Sequence, residues 1–272
     1  MQPETMLAMA KTAKRRANML DLPKLYFEFD AYHTTENVIA IRSQPASTTE
    51  NYRMAYENPN THTDAPRIVA ALTGLQRAYP LERRIQQETC DTTRETYFAV
   101  LLRWVHSGVV PCVDGFDLEA LDELIALDAL QAVGGRISCP PFSVAPTDTQ
   151  VHFPHVSVSA LSALDALALP RLLDTAATID TRCAISGEPI CFMVTDAGDL
   201  HADDHAVSVA FQKVANHITR YALDLAPGIR FVLTANANAS RQTLTLAEAA
   251  TVANAFYAFQ RGCFVTTLSK NA

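Results

Sequence analysis

Two short runs in the middle of the sequence limit most strongly how this chain folds. The first, residues 161–170, reads LSALDALALP. Leu161, Leu164 and Leu167 recur at helical spacing, and proline removes a backbone donor from a helix. The run therefore predicts a short buried helix that Pro170 ends or kinks.

The second run, residues 182–190, reads RCAISGEPI. Its turn-forming stretch SGEP separates two apolar stretches, a pattern that favours a β-hairpin.

In the first run, Ser162 and Asp165 are three residues apart, a spacing that puts both side chains on one face of a helix. We therefore expect a hydroxyl and a carboxyl group within reach of each other beside a hairpin.

Composition excludes several classes of partner. The chain has 272 residues, 49% of them hydrophobic, and a net charge of −7. An acidic balance argues against nucleic-acid binding, which needs a basic face. No apolar run approaches the roughly 18 residues that a membrane helix needs, and no apolar segment follows the basic residues near the N-terminus. We expect a cytoplasmic protein that acts on a small molecule, with no nucleic-acid or membrane partner.

Neither cysteine nor histidine spacing indicates a metal centre. The six cysteines form no C-x-x-C pair, and in a chain of this length we expect buried reduced thiols rather than a disulfide framework. His201 and His205 have the four-residue spacing of helical metal ligands, but they follow a polar run that favours a solvated loop. The sequence therefore predicts no metal and no cofactor.

Three segments follow from composition and pattern. Residues 1–91, with a polar centre rich in Asn, Thr and Pro, are predicted to be an extension that packs on the core, binds a protein partner or mediates self-association. Residues 92–158 are predicted to be helices followed by a two-stranded wing, a winged-helix-like segment. Its presumed recognition helix, residues 121–128, is acidic, which argues against DNA binding. Residues 159–272 form the predicted core, and the fold class is α+β with a mixed β-sheet.

Local pattern also places the individual elements. A strand or an aromatic anchor is expected at 25–29. Helices are predicted at 68–78, 93–107, 213–223 and 246–259, with Thr93 and Thr245 as the caps of the second and the last. One or two short helices are predicted at 117–121 and 121–133, closed by Gly134-Gly135. Strands are predicted at 136–144, 150–157, 206–211 and 229–234.

The motifs A-L-D-x-L-x-x-P and C-A-x-S-G-x-P-I resemble the core of the alkylmercury (organomercurial) lyases. The resemblance covers residues 92–262 and includes the winged segment. It implies a site made by a helical cysteine, an aspartate three residues later and a second cysteine further on. Ser162 stands at the first cysteine position, Asp165 at the aspartate, and no cysteine stands at the second position, near Ile229-Arg230.

The chemistry expected from the resemblance changes with these replacements. A serine hydroxyl does not ionise at neutral pH and does not hold mercury, a soft metal. In a site without thiols, Asp165 is predicted to be a general acid or base and Ser162 to replace the thiol. Leu161, Cys183 and Arg230 are predicted to contact the substrate, although Cys183 also fits a packing role. His152, His155 and His217 are the available bases for a serine nucleophile.

Three function classes remain open from the sequence. The chain is an enzyme recruited to a bond cleavage or proton transfer that does not involve mercury, or a non-catalytic binding partner, or an organomercurial lyase with unusual ligands. A structural alternative also remains for the central pair, with Ser162 as a helix N-cap and Asp165 bonded to backbone amides.

Overall fold

A computed structural model of the chain describes residues 65–107, 110–201, 206–211, 220–237 and 242–262. The predicted strand or anchor at 25–29 lies outside these residues, as do residues 213–219 of the predicted helix at 213–223; its last residues belong to a short π-helical turn, Tyr221–Leu225. Six helices organise the described part: α1 Ala65–Ala78, α2 Leu81–Gln87, α3 Asp91–Ser107, α4 Leu118–Ala126, α5 Ala163–Leu172 and α6 Leu246–Phe256.

Eleven strands accompany these helices within the described residues. They are β1 Gln131–Val133, β2 Arg136–Ser138, β3 Phe142–Ser143, β4 Gln150–His152, β5 Ser157–Ala160, β6 Ala177–Arg182, β7 Pro189–Val194, β8 Leu200–His201, β9 Val207–Phe211, β10 Ile229–Leu233 and β11 Gln242–Thr245. They form a six-stranded sheet in the order β3-β5-β4-β6-β7-β8, a three-stranded sheet β10-β9-β11, and the β1–β2 hairpin. The predicted α+β class is confirmed, but every described strand pair is antiparallel rather than mixed.

Strands β3 and β4, which lie within the predicted wing, belong to the same sheet as the hairpin of the predicted core, whereas β2 pairs with β1 in a separate hairpin. Strand β4 pairs with β6, with Val151 opposite Ile179, and strand β5 spans the predicted boundary between residues 158 and 159. The six-stranded sheet thus joins the segment before α5 to the hairpin after it, and this pairing fixes the start of α5 relative to that hairpin. The division into three segments stays a prediction.

Helix α5 is the buried helix that the first run predicts. Every residue from Ala163 to Pro170 is buried, so the helix is apolar on all sides, as expected for a helix enclosed by the core. Pro170 lies inside the helix near its C-terminal end and does not end it, because α5 continues to Leu172. The second run forms the predicted hairpin, in which β6 pairs with β7 and Gly187 takes a φ of 75° in the loop.

The prediction of helix up to Val133 is wrong. Helix α4 begins after its N-cap Asp117 and ends at Ala126, and residues 131–133 form strand β1 instead. Gly134 and Gly135 connect β1 to β2 with φ angles of 58° and 76°, the two positive values that a tight two-residue hairpin loop requires. Two adjacent glycines end a helix or turn a hairpin equally well, and here the pairing of Val133 with Arg136 decides for the hairpin.

The described part of the N-terminal extension packs on the core. Ile68 and Leu72 of α1 and Ile85 of α2 are buried in the same hydrophobic cluster as α5 and α6. Arg67 adds a 3.4 Å ion pair to Glu248 of α6. No helix in the described ranges combines the length and the hydrophobicity needed to span a bilayer.

Candidate active site

A pocket of about 760 Å³ lies where the start of α5 meets the β6–β7 hairpin loop and strand β10. The backbone N–H of Ala184 in the hairpin loop donates to the carbonyl of Phe231 in β10, at 3.0 Å, and this bond connects the two sheets at the pocket. Four segments line it: residues 146–149, 160–163, 181–187 and, on the far side, residues between 222 and 231.

Ser162 occupies the N-cap of α5 at the pocket wall. Its backbone is extended, with a φ of −146°, and its Oγ accepts the backbone N–H of Asp165 at 3.2 Å. This is the usual role of serine before a helix, so that part of the structural alternative is correct. Leu161 and Ser162 both line the pocket, and the hydroxyl is therefore a cap and a pocket-wall group at once.

Asp165 lies behind Ser162, outside the set of residues that line the pocket. Its side chain is fully buried. The hydroxyl of Tyr221 donates to Oδ1 at 2.6 Å, and the hydroxyl of Tyr257 donates to the same oxygen. The partners of Asp165 thus include two tyrosine hydroxyls, and the backbone and side chain of Ser162 also form hydrogen bonds that act on its carboxyl group, so the structural alternative is correct in part. Among the described residues Oδ2 has no hydrogen-bond partner.

The surroundings of Asp165 favour its protonated form. Burial raises the pKa of its carboxyl group to about 6, against the opposing effect of hydrogen bonds from Tyr221, Tyr257 and Ser162. Burial, together with the charge of Asp165, also raises the pKa values of Tyr221 and Tyr257 well above their ordinary value. Both phenols therefore stay protonated as donors, while the carboxyl group exchanges its proton near neutral pH.

Cys183 lines the pocket at the end of the hairpin strand. It is 2% exposed, and its Sγ accepts the backbone N–H of Leu233 at 3.3 Å, with Asn236 Nδ2 at 3.8 Å. Burial raises the pKa of the thiol, but hydrogen bonds from Ser186 and Leu233 outweigh burial and lower the pKa to about 6. Cys183 thus combines the packing role expected from the sequence with the character of a thiolate.

Two arginines, Arg182 and Arg230, line the pocket and are exposed. Arg182 donates from Nη1 to the carbonyl of Gly187 at 3.1 Å, and Arg230 donates from Nε to the carbonyl of Pro227 at 2.8 Å. The structure therefore brings Leu161, Ser162, Cys183 and Arg230 to one pocket and places Asp165 next to it.

The two predicted bases that the structure describes, His152 and His155, do not join this site. His152 contacts Asp180 at 3.2 Å and Ser157 at 2.7 Å, and neither His152 nor His155 lines the pocket. His217 and His205 lie outside the described residues, as does the side chain of His201. Within the described ranges no three His, Cys, Asp or Glu side chains could hold a metal ion together.

Sequence reasoning missed three residues of the site: Arg182, Tyr221 and Tyr257. Arg182 lies inside the quoted hairpin motif, and its place beside the turn was a usable signal. The two tyrosines are 56 and 92 residues from Asp165, and no local pattern links such distant positions.

Comparison with known proteins agrees with the fold. The family model described as alkylmercury lyase matches residues 142–222. This chain has an alkylmercury-lyase-like core. Among solved structures, the chain is similar to the crystal structure of the mercury-bound form of MerB2, at 15% sequence identity and a TM-score of 0.55, over 68% of this chain and 99% of that one. A search of the curated proteins gave no match.

The core is alkylmercury-lyase-like in fold, but other residues stand at the two positions where the resemblance implies cysteines. Ser162, where the resemblance implies the first cysteine, and Ile229 and Arg230, near the implied second cysteine, all line the same pocket. The two replaced positions therefore meet in space although they are far apart in sequence. The only thiol in this pocket, among the described residues, belongs to Cys183.

Proposed function

We propose that this alkylmercury-lyase-like chain is an enzyme that cleaves a bond of a small molecule other than an organomercurial by protonating the leaving group. Ser162 contacts the substrate in the position of the family's thiol, and Asp165 is the general acid behind it. Leu161, Cys183 and Arg230 contact the rest of the substrate. The observation that carries the proposal is a fully buried carboxyl group with a pKa near 6, directly behind a pocket-lining hydroxyl.

The burial of Asp165 determines how its proton reaches the substrate. Asp165 does not line the pocket, so its proton moves through the Ser162 hydroxyl, which gives its own proton to the leaving group as it receives one from the carboxyl group. The leaving group keeps the electron pair of the broken bond. Water supplies hydroxide to the other fragment and returns its remaining proton to Asp165, which balances the reaction.

The two tyrosines set the strength of this acid. Both hydroxyls donate to Oδ1, and that of Tyr257 also lies 3.2 Å from that of Tyr221. The Ser162 side chain forms a further hydrogen bond with the carboxyl group, which is the route for the exchangeable proton. A general acid works best when its pKa is close to the working pH. Without burial, the carboxyl group would be almost completely ionised at neutral pH, whereas a pKa of about 6 keeps a usable protonated fraction there and makes the protonated form dominant below that pH.

Kinetics of matched variants test the proposal. The full chain and its Asp165→Asn and Ser162→Ala variants are incubated with a panel of small organic esters, acids and phenylmercuric acetate, and products are identified by mass spectrometry. Asp196→Asn, an exposed substitution outside the pocket, is the control. We expect turnover that falls as pH rises through about 6, loss of turnover in both site variants, and a normal control.

Other outcomes of this experiment separate the alternatives. Turnover that Asp165→Asn leaves intact contradicts the proton-donor role. No turnover of any compound by a folded chain that still binds ligands supports the non-catalytic binding partner instead.

One observation favours a second candidate function, cleavage of a carbon–mercury bond with an unusual ligand. Cys183 gives the pocket a thiolate, the donor that soft metals prefer, although the resemblance does not assign a ligand role to this position. Release of benzene from phenylmercuric acetate by the chain, and its loss in Cys183→Ser, would support this candidate. Benzene release that Cys183→Ser does not change would exclude Cys183 as the mercury ligand.

A further inference from the structure

The pocket differs in charge from the rest of the chain. The whole chain carries a net charge of −7, but its described pocket-lining residues include two arginines, Arg182 and Arg230, and a single carboxylate, Asp148. The Cys183 thiol, with its pKa lowered to about 6, adds a second negative charge when it is ionised, so the pocket is less negative than the chain as a whole. Arg182 and Arg230 are the cationic side chains among its described lining residues and are what attracts an anion locally.

Both arginines are held in place without being neutralised. Each uses one N–H to bond a main-chain carbonyl of its own loop, Gly187 for Arg182 and Pro227 for Arg230. Neither forms an ion pair with a described residue, whereas four other arginines do: Arg67, Arg83, Arg94 and Arg261. A guanidinium has five N–H donors, so most of the donors on Arg182 and Arg230 remain available to a ligand.

The backbone brings the two arginines to the same part of the pocket. The hydrogen bond between Ala184 and Phe231 holds the hairpin loop against β10. Arg182 precedes Ala184 by two residues, and Arg230 precedes Phe231 by one. The backbones of both arginines thus lie next to one inter-sheet contact, and the carbonyls that hold their side chains, those of Gly187 and Pro227, belong to residues that line the same pocket. A guanidinium group suits bidentate binding of a carboxylate or phosphoryl group.

An apolar surface lies beside these cations. Ile185 lines the pocket and is 48% exposed. Leu161, Ala222 and Ala226 contribute further apolar lining. A ligand with an apolar body next to its charge would cover this surface and gain roughly 25 cal/mol for each Å² removed from water.

We infer that the pocket takes a small organic anion, in which Arg182 and Arg230 bind a carboxylate or phosphoryl head while Ile185 and its apolar neighbours contact the body. This inference rests on the proposed function and adds the substrate class to it. The head group lies at the hairpin–β10 side, which leaves the bond to be cleaved near the Ser162 hydroxyl. Arg182 is then a specificity-determining residue that no motif of the sequence assigned.

Binding measurements on the full chain test this substrate class without requiring turnover. Isothermal titration calorimetry is used with benzoate, phenyl phosphate, inorganic phosphate and benzyl alcohol, a neutral compound with the same aromatic body as benzoate. The variants are Arg182→Ala, Arg230→Ala and Arg182→Gln, which keeps an amide donor for the Gly187 carbonyl. Arg77→Ala, an exposed change on α1 away from the pocket, controls for the loss of one positive charge.

We expect benzoate or phenyl phosphate to bind and benzyl alcohol to bind much more weakly. The better of the two organic anions identifies the head group as carboxylate or phosphoryl. Each pocket variant, Arg182→Gln included, should weaken binding about tenfold, the lower end for a charge-assisted hydrogen bond at an exposed site, while Arg77→Ala changes it less than about twofold. Equal binding of benzyl alcohol and benzoate, or unchanged binding by the Arg182 and Arg230 variants, would overturn the inference. Inorganic phosphate that binds as tightly as phenyl phosphate would overturn the role of the apolar body.

The outcome is separable from that of the proposed function. Asp165→Asn should bind benzoate or phenyl phosphate like the unmodified chain, because Asp165 does not line the pocket. Arginine-dependent anion binding in a chain whose turnover does not depend on Asp165 refutes the proposed function alone. Turnover that needs Asp165, without any arginine-dependent anion binding, refutes the substrate class alone.

Discussion

Replacing Asp165 with asparagine should remove a pH-dependent loss of stability from this protein. The folded chain holds the pKa of Asp165 at about 6, above its ordinary value of 3.8, because the group is fully buried. The folded state therefore binds a proton more tightly than the unfolded state. The resulting stabilisation is fully present below pH 3.8 and is lost as the pH rises through about 6.

The size of the effect follows from the pKa difference. One pKa unit corresponds to about 1.36 kcal/mol, and the two states differ by roughly two units, so ionisation of Asp165 costs about 3 kcal/mol above neutral pH. Asparagine has a similar shape, stays uncharged, and offers an oxygen to Tyr221 and Tyr257. Asp165→Asn should therefore be more stable than the unmodified chain at high pH, by as much as about 3 kcal/mol, and similar to it at low pH.

Urea unfolding of both proteins across this pH range measures the effect. The single tryptophan, Trp104, is 3% exposed and stacks on Phe142, so its fluorescence reports the loss of the core. All other carboxyl groups are common to both proteins, and the difference between their free energies of unfolding isolates Asp165. A difference that does not change with pH would refute the raised pKa and remove the basis for Asp165 as an acid.

Three further perturbations test other parts of the structure. Tyr257→Phe removes one hydrogen-bond donor to the Asp165 carboxylate, worth about 1.5 to 3 kcal/mol, and should raise the pKa of Asp165 by about one to two units. In the same urea unfolding series, the pH at which the stabilisation is half lost should rise accordingly. An unchanged pH midpoint contradicts the hydrogen bond. Ser162→Cys should bind phenylmercury more tightly than Ser162→Ala, because it restores a soft ligand beside Asp165; equal affinities in a competition assay with a thiol chelator would contradict this. Thr245→Ala removes the side-chain cap of α6 and should lower the free energy of unfolding by about 1 kcal/mol. Thr251→Ala, which keeps that cap, is the control. Equal losses of unfolding free energy in the two variants, measured by urea unfolding, would show that the cap contributes nothing.

The elements that sequence predicted correctly are those whose signal is local. Leucine spacing around Asp165 gave the buried helix α5, the SGEP stretch gave the β6–β7 hairpin, and Thr245 gave the cap of α6. The pair Gly134-Gly135 shows where local signals are ambiguous. Two adjacent glycines suit a helix end and a hairpin turn equally, and the pairing between β1 and β2 decides for the hairpin turn.

In the candidate site, too, local motifs predicted some features and only the tertiary structure decided others. The motifs singled out Ser162 and Asp165 as one unit, and the resemblance pointed to Ile229-Arg230 as the facing position, which does line the same pocket. They did not show that Ser162 alone of the pair reaches the pocket wall. Ser162, as the N-cap of α5, stands at the pocket wall, while Asp165, three residues further along the helix, is buried in the core.

The amino-acid sequence therefore specifies the helix, the hairpin and the presence of a carboxyl group beside a hydroxyl, because these depend on contacts between residues a few positions apart. The acidity of that carboxyl group depends instead on complete burial and on Tyr221 and Tyr257, which are 56 and 92 residues distant. Likewise, Arg182 and Arg230 come to line one pocket only when the hairpin loop bonds to β10. Desolvation and charge proximity are properties of the packed chain, and they arise only once distant segments exclude water together.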